Sequence, residues 1–194
     1  MNESKDKNYI FIFSGPSGVG KDTVANELRK NKSLKLELVI SATTRKPRPK
    51  EIDGVNYYFK TVDEFKEMIK NNEFIEYVDY NGKFYGTPKS EFKRIIDLKK
   101  NVLLIIDVVG KEKIVREYDN EYNIVSFFLM PPSLDELKKR LLNRSTNTND
   151  DILNRIKIGK EEIKKSHKYD HIITLHSLEK EVQEISSYIK KIIN

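Results

Sequence analysis

Residues 15–21, Gly15-Pro16-Ser17-Gly18-Val19-Gly20-Lys21, constrain this chain more than any other stretch. They fit the pattern G-x-x-x-x-G-K, with an apolar run at 9–13 before them and a helical pattern at 23–30 behind. Strand, glycine loop, lysine and helix in that order make a phosphate-binding turn. Backbone N–H groups point inward around phosphate oxygens and the helix N-terminus adds partial positive charge. The lysine reaches the β- and γ-phosphates. Gly15, Ser17, Gly18, Val19, Gly20, Lys21, Asp22 and Thr23 are therefore the candidate residues for the phosphates of a nucleoside triphosphate. The pattern wants Ser or Thr after the lysine, to ligate Mg²⁺. Here Asp22 stands there, with Thr23 behind it. Asp22 or Thr23 is the metal candidate, and Asp22 alone also reads as a favourable first-turn residue on the helix dipole.

The rest of the chain supplies a sheet for that loop. Aliphatic runs at 36–40, 102–107, 124–129 and 172–175 read as further strands. Helical spacing appears in Leu134, Leu137 and Leu141, in Ile152 and Ile156, and in Leu178, Val182, Ile185, Ile189 and Ile192. Continuous aliphatic strands alternating with helices imply an α/β fold, a P-loop core whose parallel five-stranded sheet is flanked by helices. Two segments interrupt it. Residues 41–88 carry Tyr-rich extended pieces around a helix at 62–71, which reads as a small α+β insertion. Residues 145–151, Ser-Thr-Asn-Thr-Asn-Asp-Asp, read as a mobile loop between two helices. The expected organisation is one domain over 8–194. Its core is 1–40, 89–139 and 156–194, its insertion 41–88, and its lid 140–155.

Composition excludes several chemistries. With no cysteine among 194 residues, disulfides, thiolate catalysis and Cys-based zinc sites are out. His167, His171 and His176 lack ligand spacing for a catalytic metal. No apolar run approaches the roughly 18 residues of a membrane span, and Met1 to Asn8 has no apolar leader core. The expectation is a soluble, cytoplasmic protein without a membrane partner. The net charge is +6, but the lysines are scattered in the manner of solvated helix faces, so no nucleic-acid partner is expected. Five of the eight arginines fall in two short regions: Arg45 and Arg48, then Arg140, Arg144 and Arg155. Arginine suits bidentate phosphate recognition. Arg45 and Arg48 stand three apart in a Pro-stiffened segment and can clamp one phosphate. Arg140 and Arg144 are four apart and share a helix face.

Six ordered motifs then accumulate: G-P-S-G-x-G-K at 15–21, S-x-T-T-R-x-P-R at 41–48, D-G-x-x-Y-x-F at 53–59, F-I-E at 74–76, Y-G-T at 85–87 and P-P-S-x-x-x-L-x-x-R. Through them essentially the whole chain resembles the guanylate kinase family, nucleoside monophosphate kinases of purine nucleotide metabolism that move the γ-phosphate of ATP onto GMP. The resemblance implies that Arg45, Arg48, Tyr57 and Tyr85 hold the GMP phosphate. It implies that Ser41 bonds guanine O6, that Glu76 accepts guanine N1–H and N2–H with help from Asp107, and that Thr87 contacts the base. Lys21, Arg140, Arg144 and Arg155 become the catalytic cations, with Mg²⁺ accompanying ATP. The same resemblance makes dGMP a second acceptor and the protein a monomer or homodimer.

The departures from the family cluster on the donor side. Besides Asp22, Ile105 stands two residues before Asp107 where the family has an acid. Ser145 replaces a usual Gly, and Leu175-His176-Ser177 replaces Asn-Asp-Asp. Asp22 is a candidate to supply the acid that Ile105 lacks. Two alternatives stay open: a phospho-ligand binding module with weak or no catalysis, and a monophosphate kinase with altered donor preference.

Overall fold

Ile10 and Ile12 point to one side of the first strand, Phe11 and Phe13 to the other, and all four are fully buried. A strand apolar on both sides belongs in the middle of a sheet covered on both faces. That is where the structure, a computed structural model describing residues 8–80, 82–143 and 149–193, places it. The described residues form β1 (Tyr9–Ser14), α1 (Lys21–Lys30), β2 (Leu36–Leu38), β3 (Ala42–Thr43), β4 (Tyr58–Phe59), α2 (Val62–Lys70), β5 (Phe74–Tyr80) and β6 (Lys83–Pro88). They continue through α3 (Lys89–Asp97), β7 (Asn101–Ile105), α4 (Val108–Tyr118), β8 (Asn123–Met130), α5 (Leu134–Leu142), α6 (Asn149–Lys164), β9 (His171–Thr174) and α7 (Leu178–Ile193).

The main sheet has the order β2-β7-β1-β8-β9 and every pairing in it is parallel. Phe11 and Phe13 join a core with Val24 and Leu28 of α1 and Ile185 and Ile189 of α7. Ile10 and Ile12 join a second core with Phe92 and Ile95 of α3 and Ile114 of α4. The expected five-stranded parallel sheet is therefore present, with the phosphate loop leaving its central strand. The connecting loops at the carboxyl ends of such strands are where ligands bind.

The second sheet, in the order β4-β3-β6-β5, pairs β3 with β6 and β6 with β5 antiparallel. Phe65 of α2 stacks on Phe74 (ring centroids 4.5 Å apart) and on Phe84 (5.5 Å), closing this unit's own small core.

The boundaries differ from expectation where polar side chains compete for the backbone. The run at 102–107 stops as a strand at Ile105, because the Asp107 carboxylate accepts the Gly110 N–H (2.7 Å) and starts α4. The loop expected through Asp151 ends earlier. Asn149, Asp150 and Asp151 are the first turn of α6, where carboxylates complement the helix dipole. Residues 144–148, Arg144 among them, lie outside the described residues. No described helix is long and apolar enough to cross a membrane.

Candidate active site

The phosphate loop turns out of β1 at Gly15, whose φ is +146°. A Cβ there would sit 2.3 Å from the Leu129 carbonyl oxygen, so only glycine fits. The turn closes with the Val19 N–H donating to the Pro16 carbonyl (3.1 Å), and α1 begins at Lys21. The Lys21 ammonium donates to the carbonyls of Gly15 (2.5 Å) and Pro16 (3.2 Å), which holds it over the loop.

Facing the loop is a cleft of about 960 Å³, partly open to solvent. Gly15, Ser17, Gly18, Gly20, Lys21 and Asp22 line one side. The Val19 side chain is in the core, and Thr23 is exposed. Of the two metal candidates, Asp22 is the one in the cleft.

The other side comes from the second sheet and α4. In the β5–β6 hairpin Glu76 stands opposite Thr87 and Val78 opposite Tyr85. Alternation then puts Glu76, Val78, Tyr80, Tyr85 and Thr87 on one face. A register irregularity between Phe74 and Glu76 lets Phe74, Ile75 and Glu76 all be buried in succession. Glu76 is only 4% exposed, and the Thr87 hydroxyl donates to its Oε1 (2.6 Å). Burial pushes the Glu76 carboxyl up to about 7; the Thr87 hydrogen bond opposes this and the Asp107 charge adds to it. Asp107 is itself pushed up by burial, against the pull of the α4 N–H groups it accepts. Two carboxyls share one wall of the cleft. Ser41 lines the same cleft.

Arg45 and Arg48 line its far end with Tyr57 and Tyr85. Sequence reading missed what holds them. Glu51 grips the Arg45 guanidinium with both oxygens (2.7 and 2.9 Å) and accepts the Arg48 backbone N–H (2.6 Å). Burial pushes the Glu51 carboxyl up, but Arg45 and Arg48 outweigh it and hold it below the usual carboxylate range. The Arg45 guanidinium lies 5.2 Å from the Tyr57 ring centroid, and Tyr57 meets Tyr85 edge-on at 6.1 Å. The only sequence signal for Glu51 was an acid three residues after Arg48.

The arginines of the 140–155 region separate. Arg155 lines the cleft and donates to the Ser17 hydroxyl (2.8 Å). Arg140 donates to the carbonyls of Val19 (2.7 Å) and Leu175 (3.4 Å), bracing the phosphate loop against the segment after β9. There Leu175 turns into the core, and Glu181 accepts the backbone N–H groups of His176 and Ser177.

This geometry has counterparts in known proteins. The guanylate kinase family profile matches residues 7–192. The chain belongs to the guanylate kinase family. It is 41% identical over 188 residues to a guanylate kinase of Mycoplasmoides gallisepticum, covering 97% of this chain and 95% of that one. It is 44% identical over 185 residues to a guanylate kinase of Mesoplasma florum, covering 95% of this chain but spanning only 61% of the relative. The crystal structure of guanylate kinase from Anaplasma phagocytophilum superposes with a TM-score of 0.78 at 30% identity, over 97% of this chain and 87% of the other. Membership of this family makes the protein a nucleoside monophosphate kinase.

One consequence is local. A Cβ on Gly110 would lie 3.0 Å from Glu76 Oε2 and 3.3 Å from Asp107 Oδ1. Alanine is a better helix former than glycine by about 1 kcal/mol, which offsets part of the cost of crowding two buried carboxyls, so Gly110→Ala should fold and melt at most a few degrees lower. It should nevertheless displace both carboxyls and raise the KM for GMP about ten-fold, a cost of ~1.4 kcal/mol. The KM for ATP should stay as in the wild type. Steady-state kinetics varying each substrate in turn checks this, and an unchanged KM for GMP would show that Gly110 does not shape the acceptor pocket.

Proposed function

We propose that the chain transfers the γ-phosphate of ATP to GMP, with dGMP as a second acceptor, giving ADP and the nucleoside diphosphate. The observation that carries this reading is the buried Glu76–Thr87 pair beside Asp107, set in the same cleft as the Glu51-held arginine pair and the phosphate loop. Guanine presents two donors beside a carbonyl. A carboxylate and a hydroxyl complement that edge, whereas adenine would leave a buried charge unpaired. Arg45, Arg48, Tyr57 and Tyr85 then take the acceptor phosphate, and Lys21 the donor's β- and γ-phosphates. Residues 41–88 serve as the acceptor-binding unit and 140–155 as the lid. Arg155 and the Arg144 of that lid neutralise charge on the transferring group, while Arg140 holds the phosphate loop in shape.

The attacking phosphate oxygen of GMP is already ionised at neutral pH, so no general base is needed. The protein's task is positioning, charge neutralisation and exclusion of water. Among the described residues no group of three or more acids or histidines is placed to hold a metal. Mg²⁺ ordinarily takes one or two carboxylates plus substrate phosphates. Asp22, beside Lys21 at the mouth of the loop, fits that requirement and would hold it, and the ion's chemistry is neutralisation of β- and γ-phosphate oxygens. The setting of this work is purine nucleotide metabolism in the cytoplasm.

The test is ADP production from Mg-ATP with GMP, dGMP, AMP, CMP or UMP, repeated with GTP as donor. Turnover with GMP and dGMP alone is expected. Tight GMP binding without turnover from either donor would favour the binding-module reading and overturn this one.

A further inference from the structure

Three buried polar atoms beside the cleft have no hydrogen-bond partner among the described residues: the Tyr80 hydroxyl, Arg155 Nε and Glu162 Oε2. They complement one another. A guanidinium N–H only donates, a carboxylate oxygen only accepts, and a phenol does both. They are also neighbours. All three residues line the one cleft, and the charges acting most strongly on the Tyr80 hydroxyl are those of Glu162 and then Arg155. Glu162 is nine-tenths buried.

Their elements aim them at each other. Residues 155, 159 and 162 are spaced to share one face of α6. At Gly159 that face comes so close to the phosphate loop that a Cβ would lie 3.1 Å from the Pro16 Cβ. The helix is thus pressed on the loop, with Arg155 on one side of the contact and Glu162 on the other. Tyr80 arrives from the opposite wall, on the cleft face of β5, its ring fixed edge-on against Tyr85 at 6.3 Å. Leaving three such groups desolvated and unpaired is unfavourable, and an approach of the two walls would let them pair with one another.

We propose that Tyr80 and Glu162 are positioning residues for Arg155, acting through a hydrogen-bond chain formed as the cleft closes: Arg155 Nε–H to the Tyr80 oxygen, and Tyr80 O–H to Glu162 Oε2. This rests on the kinase reading above. The chain fixes the guanidinium by its Nε edge, beside the Nη1 bond to the Ser17 hydroxyl, and leaves the remaining terminal N–H groups for phosphoryl oxygens. It also ties the acceptor-side sheet to the helix that carries Arg155, so closure and charge neutralisation become one event.

Tyr80→Phe removes only the hydroxyl and keeps the ring against Tyr85. It should lower kcat about ten-fold, the scale of one hydrogen bond to a charged group. The KM values for ATP and GMP should change by less than about two-fold. In an Arg155→Ala background the same substitution should alter kcat by less than about two-fold, because no guanidinium remains to be positioned. Glu162→Gln, which keeps an acceptor oxygen, should retain more activity than Glu162→Leu. Thermal melting supplies a readout besides turnover. Tyr80→Phe should melt no lower than the wild type without ligands, yet gain less from Mg-ADP plus GMP. Wild-type kcat in Tyr80→Phe, or an equal loss in both backgrounds, would overturn the proposal. A wild-type protein that GMP does not stabilise at all would instead overturn the kinase reading beneath it, whatever Tyr80 does.

Discussion

Glu76→Gln should cost on the order of 10³-fold in kcat/KM for GMP and erase most of the preference for GMP over AMP, a preference of roughly 10⁴-fold in a site built to bond its substrate's polar edge. On the proposed reading the carboxylate accepts from both guanine N–H groups, whereas the amide would present one acceptor and one donor to two donors. Because Glu76 is 4% exposed, water cannot repair the mismatch. A pH dependence accompanies it. Burial raises the Glu76 carboxyl to about 7, and guanine requires the ionised form. In the wild type kcat/KM for GMP should therefore fall as pH drops below about 7, approaching ten-fold per unit. GMP's own phosphate protonates near pH ~6, so the contribution of Glu76 is the part of the acid limb missing from the Gln variant. Burial also raises Glu162 to about 7, and Glu162→Gln, which keeps Glu76, should retain the limb.

Stability should move the opposite way. The Glu76 carboxyl titrates higher folded than unfolded, so its contribution is most favourable below the unfolded value of 4.5 and is lost as pH rises toward 7. Above that the ionised, buried group destabilises the fold by about 3 kcal/mol. Glu76→Gln should raise the melting temperature at pH 8 and do so less at pH 5. A variant that keeps GMP selectivity would place the base elsewhere, and one that melts lower at pH 8 would show that the ionised Glu76 is not unfavourable in the fold. A site that recognises guanine in this proposed way holds an unfavourable charge for the sake of binding.

What could be read in advance follows from how local each signal is. The phosphate loop is contiguous, and its glycines, lysine and flanking strand are chain neighbours. The central strand announced itself because β1 is apolar on both faces. Glu76 and Thr87 were legible through motifs, although the hydrogen bond between them depends on a hairpin register that no spacing dictates. Other features needed three dimensions. Gly110 matters because α4 packs on β5. The resemblance put Arg140 among the catalytic cations, and only the fold shows its guanidinium donating to the Val19 and Leu175 carbonyls. α3 and α4 were not read from the sequence, and one of the three residues that α3 buries is the charged Glu91. Glu91 accepts from the Ile40 N–H, the Tyr58 hydroxyl and Arg94, joining the start of the insertion to its end. Such a joint has no sequence period.

Arg155→Ala should lower kcat on the order of 10³-fold while leaving both KM values within about three-fold, the pattern of a contact made mainly in the transition state. Arg155 is carried by a helix held against the phosphate loop at Gly159, and it already reaches that loop through Ser17 (2.8 Å). Its charge therefore stands at the phosphate-loop end of the cleft, facing the side lined by Arg45 and Arg48. As charge spreads over the transferring group's oxygens, a cation fixed in place beforehand is worth more than one recruited from solvent. Arg140→Ala should behave differently. It removes bonds to two carbonyls that shape the loop and the segment after β9, so it should raise the KM for ATP and lower the melting temperature, with a stability loss of about 1–3 kcal/mol. The two substitutions side by side, with kcat, both KM values and melting temperature measured for each, separate a residue that acts on the phosphoryl group from one that acts on the loop. Equal effects on kcat with unchanged melting would return Arg140 to the cleft. A near-normal kcat in Arg155→Ala would remove Arg155 from the chemistry, and with it the reason for Tyr80 and Glu162 to meet.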